Sequence, residues 1–271
     1  MHRLRRGLFF IPCETESRKA FDGNCRRGWP QVNRLGNGLA TQISSAYREV
    51  LSRGLRASEG RAFETIGVTK TCPIETVSAG YQAGLRNFGE NYADELLEKA
   101  SSPVLAYGDD PIRWHFIGAI QSRKIAKLAR YVSVWHSVAR AKEIRRIAEI
   151  TPNAEVFIQV NFSAKTERNG VRIGEAEELV NLGKASGLQV LGLMVVPPLT
   201  DHISLGNIFT AVNDERLRLG LQGCSMGMSD DFELALAKGS THIRVGRVLF
   251  GDRGATSILG SEQNIGQGGP G

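Results

Sequence analysis

The chain has 271 residues, 41% hydrophobic and 23% charged, an ordinary globular composition whose length suits one large α/β barrel or two small domains. No stretch approaches the roughly 18 apolar residues of a membrane-crossing helix, which argues against a membrane span. The net charge of +6 hints at nucleic acid until it is located: residues 1–30 carry seven basic groups against Glu14, Glu16 and Asp22, so the rest is near neutral and offers no phosphate-backbone footprint.

The opening segment, residues 1–31, is rich in Gly, Cys and Arg, and its apolar run from Leu8 to Pro12 is too short for a signal-peptide core. It is expected to be disordered, or to precede a translation start near Val32. From Asn33 to Leu55 the spacing of Leu39, Ile43, Ala46, Val50 and Leu55 predicts a helix. A unit of short apolar strand, polar turn and helix then repeats. Strands are predicted at Glu64–Thr69, Arg86–Phe88, Trp114–Ile117, Val132–Ser137, Glu155–Asn161, Gln189–Val195, Gly220–Ser225 and His242–Val245. Helices are predicted at Ile74–Ala83, Asn91–Lys99, Ser122–Ala129, Ala139–Glu149, Glu175–Ala185, Ile208–Arg218 and Asp230–Lys238.

Runs such as Glu155–Val160 are apolar on both faces, as in parallel strands covered by helices. Eight such units predict a single (β/α)8 barrel over residues 32–255, with a flexible tail over 256–271. The helix before the first strand is extra. It either covers the barrel bottom or supplies the helix missing after the last strand. Cys13, Cys25, Cys72 and Cys224 form no CxxC pair and no zinc spacing, so a reduced, cytoplasmic protein without a metal site is expected.

In such a barrel the chemistry sits at the C-terminal strand ends. Lys70 follows Ile66-Gly67-Val68 directly. It is either a surface lysine or an amine in a low-dielectric crevice, where the neutral, nucleophilic form is favoured. The last two strand ends offer Gly227, Ser229, Gly246 and Gly251, suited to close backbone approach to a phosphate. Ser229 either caps the helix that follows or binds that anion. Arg244, between Ile243 and Val245, is either a salt-bridged core residue or a group facing the ring nitrogen of a bound pyridine cofactor.

With these residues in view, the sequence resembles the pyridoxal phosphate homeostasis protein family. The stretches are VTKTCP at 68–73, NFGENYADE at 87–95, WHFIGAIQSRK at 114–124, WHSV at 135–138, IQVNFSAKTERNGV at 158–171, GLMVVPP at 192–198, SMGMSDD at 225–231 and IRVGRVLFGDR at 243–253. The resemblance implies an alanine racemase N-terminal type barrel standing alone, with pyridoxal 5′-phosphate held as a Schiff base (an aldimine) on Lys70. Arg244 would lie by the pyridine nitrogen. Ser229, Gly246 and Arg247 would hold the phosphate, the last two mainly through backbone amides. Asn91 and Met226 would line the ring, with His115 and Ser137 on the same rim. Two departures stand out: the family usually has lysine or arginine where Cys72 stands, and often threonine where Arg247 stands.

The resemblance implies a carrier or regulator of the vitamin B6 pool, serving cofactor-requiring apo-enzymes. The alternatives are an amino-acid racemase or other enzyme dependent on pyridoxal phosphate, and an aldolase using Lys70 alone. Racemases of this resemblance use a second acid–base group from a separate domain and a partner subunit. The short sequence after the last strand leaves no room for that domain, so no enzyme activity and a monomer are expected. An aldolase would need a base on the rim, where Glu90 is the main carboxylate.

Overall fold

A computed structural model describes residues 34–163 and 169–251. Eight parallel strands close into a barrel in chain order: β1 Glu64–Val68, β2 Asn87–Glu90, β3 Arg113–Phe116, β4 Val132–Val138, β5 Glu155–Val160, β6 Gln189–Val195, β7 Gly223–Ser225 and β8 His242–Val245. The helices are α1 Arg34–Ala57, α2 Ile74–Gln82, α3 Ala93–Ala100, α4 Ile125–Leu128, α5 Ala141–Ile150, α6 Ala176–Ala185, α7 His202–Arg218, α8 Phe232–Ala237 and α9 Arg247–Phe250. The predicted barrel and its extra first helix are both present. The expectations for residues 1–31 and for 256–271 lie outside the described residues.

The barrel has two apolar layers. Inside it, Val134, Phe157 and Met194 form a small cluster joined by Leu191. Between sheet and helices lies the main core, with Phe88, Phe116, Trp135, Phe209 and Phe232 fully buried. Each such side chain contributes about 1.5–3 kcal/mol from burial.

The first helix settles the choice left by the sequence: α1 packs against α2, α8 and α9, the place where an eighth outer helix belongs. Gly54 permits the approach, since a Cβ there would lie 2.3 Å from the Phe63 ring. Arg53 ties α1 to α8 through Glu233, at 3.2 and 2.5 Å.

Three predicted elements differ from the structure. The seventh strand begins at Gly223, not Gly220, because Gly220 (φ +64°) closes α7 in a Schellman turn. In it Leu221 N–H donates to the Arg216 carbonyl at 3.0 Å, and Gly220 N–H to that of Leu217 at 3.0 Å. The helix expected from Ile208 begins at His202, because the Asp201 carboxylate caps it, accepting from Ile203 N–H at 3.0 Å and Ser204 N–H at 2.9 Å. The helix expected over Ser122–Ala129 is a 3₁₀ turn over Ser122–Lys124 followed by the single turn of α4.

Candidate functional site

β1 delivers Lys70 to the mouth of the barrel. Thr69 N–H donates to the Gly89 carbonyl at 3.1 Å, prolonging the β1–β2 pairing by one residue, and Lys70 follows, half-buried, in the turn. The next residue, Thr71, has φ +62°, a left-handed conformation unusual for a β-branched residue.

β8 runs beside β1, with Ile66 paired to Arg244 and Gly67 to Val245. Gly246 therefore emerges next to the Lys70 segment, where a Cβ on it would meet the Val68 carbonyl at 3.1 Å. From Gly246 the chain turns directly into α9, whose first amides have no carbonyl a turn earlier to bond. Ser229 reaches across from the β7 side, its hydroxyl accepting from Gly246 N–H at 3.2 Å and Val248 N–H at 3.4 Å. Hydroxyl and amides gathered at one point form an anion cradle. Ser229 is not the cap of its own helix: α8 starts three residues later, at Phe232, after Asp231 at the N-cap position, whose carboxylate accepts from Met228 N–H at 2.5 Å. The Arg247 side chain takes no part in this cradle. Its guanidinium turns outward to pair with Asp230, half-exposed, so it does not stand in for a missing hydroxyl.

Below this mouth a hydrogen-bonded column crosses the barrel interior. Arg244 is 4% exposed, with no carboxylate in hydrogen-bond contact among the described residues; Nη1 donates to Ser225 Oγ at 2.7 Å and Nη2 to the Val195 carbonyl at 2.8 Å. Among the described residues it is not salt-bridged. Burial pushes its pKa down to about 10, opposed in part by Asp231. Arginine only donates, so Ser225 Oγ accepts from it and passes its own proton to His136 Nδ1 at 3.0 Å. His136 then carries its proton on Nε2 and donates to His115 Nδ1 at 2.8 Å, and His115 donates from Nε2 to Asn87 Oδ1 at 3.0 Å. With both rings neutral, the Asn87 Oδ1 acceptor at one end and the Ser225 hydroxyl at the other set these tautomers. Both imidazoles must be neutral for every donor to find an acceptor. Burial, with Arg113 and the neighbouring imidazoles, holds both well below the usual range.

The other predicted residues divide. Asn91 follows β2 at the mouth, with Oδ1 buried and lacking any partner among the described residues. Ser137 is buried at the end of β4, its hydroxyl donating to the Gly118 carbonyl. Gly118 itself is obligatory, since a Cβ there would come within 1.8 Å of the Asn91 carbonyl. His115 is not on the rim: it lies inside the barrel, held between Asn87 and His136, because the register pairs it with Gly89 within the sheet. Met226 does not turn its side chain to the mouth either. It belongs to the core between sheet and helices, with Sδ 3.5 Å from Cys224 Sγ. Its N–H and carbonyl are taken by the His242 carbonyl and the Ser240 hydroxyl.

Two groups escaped sequence reasoning. One is the Ser225–His136–Asn87 set. The only signal was that three of the chain's five histidines fall in strands, at 115, 136 and 242. The other is the pair Glu95 and Lys99 on α3, which an i, i+4 ion pair could have flagged.

The donor set suits pyridoxal 5′-phosphate. It has an amine at a strand end, an amide-and-hydroxyl cradle beside it, a donor-only Arg244 on the floor, and an orphaned acceptor, Asn91 Oδ1, at the side.

Comparison with known proteins agrees. The family model of the alanine racemase N-terminal domain matches residues 56–254. The pyridoxal phosphate homeostasis protein of Pseudomonas aeruginosa is 38% identical over 226 residues, covering 78% of this chain and 96% of that protein. That of Mus musculus is 31% identical over 248 residues, covering 84% and 90%. PipY of Synechococcus elongatus, solved with pyridoxal phosphate bound, superposes with a TM-score of 0.66 at 30% identity, over 79% of this chain and 100% of that one. The lysine decarboxylase of Selenomonas ruminantium, 14% identical with a TM-score of 0.55 over 78% of this chain and 60% of its own, shares the barrel fold. By the extent of the family match and the near-complete coverage of these relatives, the chain belongs to the pyridoxal phosphate homeostasis protein family.

Proposed function

We propose that this protein binds pyridoxal 5′-phosphate at the mouth of its barrel and serves vitamin B6 homeostasis in the cytoplasm. It holds the cofactor reversibly through Lys70, as a monomer, and yields it to apo-enzymes. When bound, the cofactor supplies an aldehyde that condenses with a primary amine, with loss of water, and a ring that can withdraw electrons. The residues do the holding. Lys70 supplies the amine, Ser229 and the amides of Gly246 and Arg247 take the phosphate, and Asn91 and Ser137 flank the ring.

The observation that carries this reading is Arg244. It is a buried guanidinium with neutral partners, on the strand flanked by both β1 and β7. A group that only donates favours an unprotonated ring nitrogen, which weakens the ring's electron withdrawal. Glu90, the carboxylate beside Asn91, is tied through one oxygen to Lys99 and Thr69, each at 2.7 Å, which disfavours a role as a base. Both features favour a carrier over an enzyme. Among the described residues no helix is long and apolar enough to cross a membrane.

Borohydride reduction of the yellow protein followed by peptide mapping tests the attachment: the pyridoxyl group is expected on Lys70, and its absence there would refute the assignment. Turnover assays with racemase and decarboxylase substrates are expected to show no sustained product; robust turnover would reverse the carrier reading.

A further inference from the structure

The turn that presents Lys70 is held from behind by α3. Lys99 is 4% exposed, and its ammonium is fully used: Nζ donates to the Thr69 carbonyl at 2.7 Å, to Glu90 Oε1 at 2.7 Å and to Glu95 Oε1 at 2.6 Å. Glu95 Oε1 also accepts from Thr71 N–H at 2.6 Å. Thr69 Oγ1 donates to the same Glu90 oxygen at 2.7 Å. The backbone on both sides of Lys70 is thus tied to one ion cluster, the carbonyl of residue 69 to Lys99 and the amide of residue 71 to Glu95.

These bonds fall where the backbone is strained. Thr71 sits at φ +62°, and a β-branched residue stays there only when its surroundings dictate it. A cluster serving only to join α3 to the sheet would have no need of the Thr71 amide. The Lys99–Glu90 pair, with side chains 6% and 0% exposed, already makes that join.

We propose that Glu95 and Lys99 are positioning residues: through Thr69 and Thr71 they fix the direction in which the Lys70 amine leaves β1 and hold it toward the bound aldehyde. This rests on the reading of Lys70 as the point of attachment.

Two ligands separate positioning from simple folding. Pyridoxal 5′-phosphate can join the amine; 4′-deoxypyridoxine 5′-phosphate lacks the aldehyde and tests only the ring and phosphate contacts. Binding of both, and the rate of imine absorbance on rapid mixing with the aldehyde, would be measured for the wild type, Glu95→Ala, Glu95→Gln, Thr71→Gly and Thr71→Gly/Glu95→Ala. Loss of the charge-assisted hydrogen bonds that Glu95 accepts from Thr71 N–H and Lys99 Nζ predicts that Glu95→Ala slows attachment about tenfold or more while the deoxy analogue binds within about twofold of wild type. Glu95→Gln keeps the acceptor for Thr71 N–H and is expected to recover most of the rate. Glycine adopts φ +62° without strain, so Glu95→Ala should cost much less in the Thr71→Gly background.

The proposal is overturned if both ligands weaken equally, if attachment is unchanged in Glu95→Ala, or if Thr71→Gly leaves the cost of Glu95→Ala undiminished. If the wild type itself shows no attachment at Lys70, the underlying reading fails instead, whatever the variants do.

Discussion

Acid should destabilise this barrel before its carboxylates titrate. His115 and His136 must be neutral for the column to satisfy every donor, and both are fully buried. His242, at the start of β8, stacks edge-on to Phe157 and has its pKa pushed down from 6.5 to about 4, by burial first and then by Arg113 and Arg244; Glu64 lies 3.6 Å away. The sign follows from proton uptake. As pH falls below 6.5 the unfolded chain protonates these imidazoles while the folded chain resists, in the case of His242 down to about 4, so stability is full above the unfolded value and falls as pH drops below it. By pH 5.5 each imidazole held neutral costs on the order of 1 kcal/mol, and the three together a few kcal/mol, a large part of a typical 5–15 kcal/mol. Urea unfolding of cofactor-free protein at pH 7.5 and 5.5 measures the sum without ligand linkage. His242→Asn should reduce the difference by about a third, whatever it does to absolute stability. Equal stability at the two pH values, or an unaltered difference in His242→Asn, would refute the claim that these imidazoles are held neutral.

Other outcomes follow from the site. Ser229→Ala should speed cofactor loss on dialysis about tenfold while unfolding shifts by no more than about 1 kcal/mol, since its hydroxyl accepts from two amides at the cradle; equal retention would remove Ser229 from the phosphate site. Arg247→Ala should retain the cofactor within about twofold, because the lost side chain paired with Asp230 on the surface. A large loss on equilibrium dialysis would show that the guanidinium does reach the phosphate. Gly118→Ala must displace the Asn91 backbone and should cost more than about 3 kcal/mol, read as a collapse in melting temperature or soluble yield. A near-native melting curve would mean that this close approach is not obligatory.

The barrel was legible because its signal is periodic and local. Eight apolar runs separated by helical spacing specify the class, and Lys70 and Arg244 stand out by position within those runs. What was not legible depends on distances across the barrel. Ser225 and His136 are separated by 89 positions, and nothing in either strand alone says that one faces the other. The resemblance puts His115 on the rim, but its depth is set by how neighbouring strands are staggered, and it lies inside the barrel. Met226 failed for a third reason. It sits just past a strand end, where alternation gives way to a turn, and there the sequence does not say which way a side chain points. Asp201 was different: its capping role was readable from residue type alone, and the apolar spacing starting at Ile208 masked it.

The position of α1 between α2 and α8 has a consequence for how the protein is made. Arg53 and Glu233 meet across 180 residues of sequence. The helix α1 therefore cannot find its seat until nearly the whole barrel has been synthesised. Contacts of such long separation form late and slowly. Until then the apolar face of α1 and the gap in the helical ring remain open together, and chaperones have their chance to bind. The last strand and α8 do more than finish the wall. Their arrival lets α1 take its place in the ring.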